Sequence, residues 1–210
     1  MNTKRIFIVI GHDSQLDGMF RLEDLPGSGR IDEIARCVTA ALLVSNGIRK
    51  DTVVMLILQG KGGTRLVEFN GKYMKNLNPD ERSTAALLRI ALRNEVFIFE
   101  KKVIPGITLV PGDLRTHLEK IDKSSLILHL REDGKDAFEK SAKDIIKTWV
   151  NKNETLVIIL SDNKDLSKEE TELLLKISTV PISLGPLSLQ SHQTILIMHN
   201  LLDRITQWHN

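Results

Sequence analysis

At 210 residues, with 41% apolar and 27% charged side chains, the chain has the make-up of an ordinary globular protein, long enough for one sizeable domain or two small ones. Lys and Arg number 29 against 27 Asp and Glu, so the net charge of +2 makes no case by itself for nucleic acid. One cysteine, Cys37, excludes an internal disulfide and a cysteine-built metal site, and no apolar run reaches the ~18–20 residues that cross a bilayer, so a reducing, cytoplasmic setting is expected.

The first apolar run, Ile6–Gly11, reads as a strand, too short for a signal peptide. A polar loop from Gly11 to Gly29 follows, with Gly27-Ser28-Gly29 near its end but no Gly-Lys-Ser/Thr at phosphate-loop spacing. Arg30–Asn46 is predicted as a helix, because Ile31, Ile34, Ala35, Val38, Leu42 and Leu43 share one face, with Gly47 as its C-cap. Asp32 lies in its first turn, where a carboxylate suits the helix dipole.

Thr52–Gln59 reads as a central strand. The Asn70-Gly71 pair predicts a hairpin between Arg65–Asn70 and Lys72–Leu77. Asn78 as N-cap and Pro79 at the first position predict a helix that buries Ala85, Leu88, Ile90 and Ala91 and ends near Asn94. A short strand is expected at Val96–Phe99, another at Ile107–Val110, and a helix over Pro111–Ile121.

From residue 125 the rhythm is regular. Strands are predicted at Ser125–Leu130, Leu156–Leu160 and Pro181–Leu184, with polar loops at Arg131–Asp136 and Ser161–Asp165. Helices are predicted at Ala137–Val150, at Ser167–Ser178 with a Ser167/Glu170 capping box, and from Gln190 onward. Short strands alternating with helices predict an α/β fold on a largely parallel sheet. In such a sheet ligands bind beyond the carboxyl ends of the strands, which assigns Leu130–Gly134, Ser161–Asp165 and Gly185–Leu189 to one rim.

The rim lacks the glycine pattern of a dinucleotide site and any legible Ser/His/Asp set. His192 and His199, seven apart on one helix, have no carboxylate pair to complete a metal site, so no metal is expected. What remains is an apolar, backbone-rich pocket with hydroxyls at Ser183, Ser188 and Thr194, suited to an adenine ring. The basic surplus lies on the N-terminal side, with 16 basic and 12 acidic side chains in the first 110 residues.

Six blocks, taken in order, carry a resemblance: Asp24-Leu25-Pro26-Gly27-Ser28 before Gly29-Arg30-Ile31-Asp32; Asn46 to Asp51; Pro79-Asp80-Glu81-Arg82; Glu132-Asp133-Gly134 with Asp136; Ile182-Ser183-Leu184 with Pro186-Leu187 and Leu189; and His199-Asn200 with Leu202-Asp203. Together they resemble the archaeal tRNA pseudouridine-54 N1-methyltransferases, a family of the SPOUT class. The resemblance spans nearly the whole chain. It implies a single SPOUT domain over residues 1–210, its N-terminal half facing RNA and residues 125–210 folded as a trefoil knot. That knot would bind S-adenosylmethionine, in a homodimer joined through the C-terminal helix region. It implies cofactor contacts from Leu130, Ser161, Ile182, Ser183, Leu184, Gly185, Leu187, Leu189 and Thr194. In the family pattern glycine stands at the position of Ser161 and cysteine at that of Thr194, so here the serine would serve through its backbone and the threonine through contact. Asp32 and Arg30 are the candidate catalytic pair, Asp32 orienting the base or relaying its proton. Arg30, Arg36, Arg49 and Lys50 are the candidate RNA contacts. A related enzyme acting on rRNA pseudouridine, and a binding protein without catalysis, are the competing readings.

Overall fold

The structure is a computed structural model and describes residues 4–95, 98–152, 154–177 and 179–207. Its strands are β1 (Arg5–Gly11), β2 (Leu43–Val44), β3 (Gly47–Ile48), β4 (Thr52–Gly60), β5 (Gly63–Asn70), β6 (Lys101–Ile104), β7 (Ile107–Val110), β8 (Leu126–Asp136), β9 (Leu156–Ser161) and β10 (Val180–Ser183). Its helices are α1 (Ile31–Leu42), α2 (Glu81–Leu92), α3 (Leu114–Glu119), α4 (Lys140–Asn151), α5 (Lys168–Lys176) and α6 (Ser191–Gln207).

One eight-stranded sheet runs in the order β10-β8-β9-β1-β4-β5-β7-β6. The pairs β10–β8, β8–β9, β9–β1 and β1–β4 are parallel, and the last three strands are antiparallel. Strand β1 shows why the sheet is covered twice. Phe7 and Val9 enter the larger core beneath α1, α2, α4 and α6, whereas Ile8 and Ile10 enter the smaller one beneath α3 and α5. A parallel strand buried on both faces reads as an unbroken apolar run, and β1, β4 and β9 do so.

Several local expectations give way to tertiary pairing. Helix α1 ends at Leu42 rather than Asn46: Leu43 is extended, and Leu43–Ile48 folds into a two-stranded ribbon that contains Gly47. The residues Lys72–Leu77 form no strand, because β5 already pairs with β4 on one side and β7 on the other. The segment turns back instead, Tyr73 and Met74 donating to the Asn70 carbonyl, and Met74 is buried. Asp80, not Asn78, caps α2, its carboxylate accepting from the Ser83 amide at 2.8 Å. Ala85, Leu88 and Ala91 are buried as expected, but Ile90 is 45% exposed. Helix α3 is the short core of the stretch expected at Pro111–Ile121, started by an Asp113/Thr116 capping box. Of the strand expected at Val96–Phe99, Val96 and Phe97 lie outside the described residues, and Ile98 and Phe99 form a bend.

The largest revision concerns Arg131–Asp136. These residues continue β8 rather than leave it. Val180 and Pro181 pair with Leu128 and His129, then Ile182 and Ser183 pair with Lys135 and Asp136, so residues 130–134 bulge out between two blocks of one ladder. Gly134 permits the return: a Cβ there would stand 2.6 Å from the Ile182 backbone. The capping box of α5 is formed as read, Ser167 and Glu170 each accepting from the other's amide.

Candidate functional site

The parallel strands β8, β9 and β10 end on the same side of the sheet, where α6 and the first turn of α1 meet them. Between them lies a cavity of about 710 Å³. Every residue expected to touch the cofactor lines it: Leu130 from the bulge, Ser161 at the end of β9, Ile182 and Ser183 from β10, Leu184, Gly185, Leu187 and Leu189 from the loop after it, and Thr194 from α6. Arg30 lines the same cavity.

The strand register supplies the apolar wall, with Ile182 and Leu184 buried and Leu187 74% exposed. The Ser183 hydroxyl donates to the Gly185 carbonyl at 3.2 Å and holds the turn after β10. A Cβ on Gly185 would meet nothing within 4 Å, so the turn leaves open space beside it. Ser161 has no left-handed backbone, and its carbonyl accepts from the buried Ser191 hydroxyl at 2.7 Å. That bond ties the end of β9 to the start of α6. Thr194 donates to the Gln190 carbonyl at 3.2 Å, closing the first turn of the same helix.

On the opposite wall Arg30 sits at φ 57°, the left-handed region a bulky side chain rarely adopts, at the N-cap of α1. Its guanidinium forks onto Asp32, Nε to Oδ1 at 3.0 Å and Nη2 to Oδ2 at 3.1 Å. Arg36 holds the same carboxylate at 2.6 Å and also reaches Glu33 and Glu81. Burial would raise Asp32's pKa, but Arg30 and Arg36 outweigh it and hold the carboxyl below its ordinary value. A carboxylate in that position orients guanidinium groups well and accepts protons poorly. Asp32 and Arg36 stand behind Arg30 rather than on the cavity wall.

Arg49 and Lys50 are elsewhere. They precede β4, at the amino ends of the parallel strands, whereas the cavity is at the carboxyl ends. Arg49 forks onto Asp203 of α6 at 2.7 and 3.2 Å, and Asp203 also accepts from the buried Arg5 at 2.7 Å. Lys50 donates to the Gly71 and Met74 carbonyls. His199, in the same region, is buried against the Ala41 carbonyl and Arg5, and burial drives its pKa down to about 3. These side chains tie the sheet to α1 and α6, and they form no continuous basic track with Arg30.

Three site features were not foreseen from sequence. His12, directly after β1, stands between Asp162 and Glu170, and Glu170 also accepts from Gln59 at 2.6 Å. Glu33 lines the cavity and accepts from Arg36 and from His192. His129 closes the first block of β8 and lines the cavity, where burial and then Arg131 push its imidazole down to about 4 against the opposing effect of Asp133. A polar residue just past a parallel strand was the available signal for His12, whereas His129 lies within β8 and carried no such signal. No group of three or more metal-binding side chains among the described residues is arranged to hold a metal ion.

Comparison with known proteins adds a second line of observation. A family model described as "Putative SAM-dependent RNA methyltransferase" matches residues 4–207. Among curated proteins, the tRNA (pseudouridine(54)-N(1))-methyltransferase of Methanosarcina mazei is 39% identical over 202 residues, 95% of this chain and 91% of that protein. The enzyme of the same name from Haloferax volcanii is 36% identical over 203 residues, 95% of this chain and 96% of its own. Among solved structures, Archaeoglobus fulgidus Nep1 bound to S-adenosylhomocysteine superposes with a TM-score of 0.60 at 13% identity, over 98% of this chain and 99% of that one, a likeness of fold. The described part of this chain has a cavity at the carboxyl edge of a largely parallel sheet, and its sequence belongs, by a match over almost its whole length, to the SAM-dependent RNA methyltransferase family.

Proposed function

We propose that this protein methylates N1 of pseudouridine at position 54 of tRNA, using S-adenosylmethionine. The observation that carries the reading is the convergence of all nine expected cofactor residues on one cavity that also holds Arg30, in a chain 39% identical to an enzyme of that name. A cavity of about 710 Å³ falls within the ~300–1,000 Å³ range of small-molecule sites and has room for a nucleoside beside the cofactor.

The residues present fit the cofactor. Leu130, Ile182 and Leu184 offer an apolar slot for an aromatic ring, and the open space at Gly185 leaves the neighbouring backbone approachable. S-adenosylmethionine supplies a methyl group already activated on a sulfonium, so the protein mainly aligns two reactants and excludes water. Arg30, locked by Asp32, meets the uracil carbonyls or an adjacent phosphate of a base extruded from the RNA, and Arg36 holds that arrangement from behind. Asp32 acts through Arg30.

The C-terminal segment, in this reading, is threaded as the trefoil knot of the SPOUT class, and the bond from Ser191 to the Ser161 carbonyl ties its last helix to the end of β9. The exposed Leu187, Leu196 and Phe138 supply apolar area for a second copy in a homodimer. No helix among the described residues is long and apolar enough to cross a membrane, and a cytoplasmic tRNA enzyme is the proposed setting.

The test is methyl transfer to tRNA transcripts with and without prior pseudouridylation at position 54, read by mass spectrometry of the digested nucleosides. The expected product is 1-methylpseudouridine from the pseudouridylated transcript alone. Transfer to an rRNA fragment but to neither transcript would move the target to rRNA. Cofactor binding in calorimetry with no transfer to any RNA would leave a binding protein.

A further inference from the structure

Three buried titratable side chains line the cavity: Glu33, His129 and Asp162. Two of them are engaged. Glu33 accepts from Arg36 and from His192, and Asp162 accepts from the His12 ring and amide and from the Lys164 amide. His129 is only 8% exposed, and its ring has no hydrogen-bond partner among the described residues. It lies opposite Pro181, which has no N–H, and directly before residues 130–134 bulge away.

The ring opens onto the cavity, and an imidazole nitrogen with no protein partner there is free to meet a bound ligand. We propose that the His129 imidazole accepts the proton displaced from N1 of the target pseudouridine. The inference rests on the methyl-transfer reading above. N1 forms its bond to the methyl carbon as the carbon–sulfur bond breaks, and that electron pair remains on sulfur, which becomes a neutral thioether. The N1 proton passes to a ring nitrogen of His129, and the resulting imidazolium gives it up to water.

The weak basicity of this histidine suits the step. A nitrogen that has gained a methyl group while still holding its proton is cationic and strongly acidic, so a feeble base removes the proton. An imidazole held near 4 by burial and by Arg131 is unprotonated at neutral pH and puts no positive charge next to a sulfonium. Asp32, the other candidate, is shared between two guanidinium groups and is off the cavity wall.

Pseudouridine supplies a control, because uridine presents C5–H where pseudouridine presents N1–H. With S-adenosylhomocysteine present, the wild-type protein should bind a T-arm hairpin carrying pseudouridine roughly two- to tenfold more tightly than the uridine hairpin, the worth of one neutral hydrogen bond. His129→Ala should erase that preference. Single-turnover methyl transfer should fall by about tenfold to 10²-fold in His129→Ala and in His129→Asn, below the usual range for a general base because this one is weak. Calorimetric affinity for S-adenosylhomocysteine should stay within about twofold in both. His129→Asn keeps a polar group of similar size and carries the test should the alanine variant fail to fold. The inference is overturned by a rate within about threefold of wild type, by a preference that survives the substitution, or by cofactor affinity falling in step with the rate. A wild-type chain that methylates no pseudouridine overturns the functional reading and this inference with it; an active wild type with an equally active variant overturns this inference alone.

Discussion

His12 Nδ1 lies 2.8 Å from Asp162 Oδ1, while the His12 amide donates to Oδ2 of the same carboxylate at 2.6 Å. The loop leaving β1 is thereby clamped to the loop leaving β9, one of the cavity's own walls. The second ring nitrogen stands 3.1 Å from Glu170 Oε2, so both nitrogens face carboxylates and both carry protons.

The clamp makes stability depend on pH in a defined direction. The Asp162 hydrogen bond, with Glu170, outweighs desolvation and raises His12 from 6.5 to about 9. Because the folded value exceeds the unfolded one, the contribution is fully present below about pH 6.5 and is lost as pH rises through about 9. It amounts to about 1–3 kcal/mol. Urea unfolding of wild type and His12→Asn should therefore differ most at pH 6 and converge by pH 10. A gap that widens with pH would exclude the charged clamp.

Arg30 allows backbone and side chain to be separated. Glycine adopts φ near 57° without strain, so Arg30→Gly should leave the unfolding free energy within about 1 kcal/mol of wild type. Losing a charge-assisted contact to the substrate should lower methyl transfer by roughly 10- to 100-fold, corresponding to about 1.5–3 kcal/mol. Full activity in a folded Arg30→Gly protein would remove Arg30 from the site.

The parts of the fold legible in sequence were those set by local signals. The apolar runs of β1, β4 and β9 and the capping box of α5 fall where periodicity and capping chemistry put them. The failures share a cause: a partner distant in sequence decided the outcome. Asn70-Gly71 is a strong local hairpin signal, yet β5 already had neighbours on both edges. Residues 131–136 are polar enough to read as loop, and only their pairing with β10 makes Lys135 and Asp136 strand. The cavity's apolar wall followed from the strand ends together with the family resemblance. His12 with Asp162, and Glu33 with His192, are pairs about 150 residues apart, and no spacing rule brings such residues together.

Arg49 tests the distinction between a phosphate contact and a structural brace. Arg49→Ala removes a partly buried fork onto Asp203 and should cost about 1–3 kcal/mol in urea unfolding. Affinity for tRNA and its salt dependence should be unchanged, since the side chain serves the opposite end of the sheet. A salt slope reduced by about 1, with weaker binding to every RNA, would instead make Arg49 a phosphate contact.

Ser191 tests whether the start of α6 sets the shape of the cavity wall. Its buried hydroxyl donates to the Ser161 carbonyl at 2.7 Å and reaches the Asp162 carbonyl at 3.3 Å. Ser191→Ala leaves the Ser161 carbonyl without this donor, at a cost of about 1–3 kcal/mol, and frees the end of β9 to shift. Affinity for S-adenosylmethionine should drop several-fold by calorimetry. Ser161→Gly is the comparison, because Ser161 occupies no left-handed conformation that glycine would relieve and the carbonyl that Ser191 grips is retained. It should lose about 0.5–1 kcal/mol of stability and little cofactor affinity. If Ser161→Gly weakens cofactor binding as much as Ser191→Ala, the serine side chain itself is the contact, and the backbone role assigned to Ser161 is wrong.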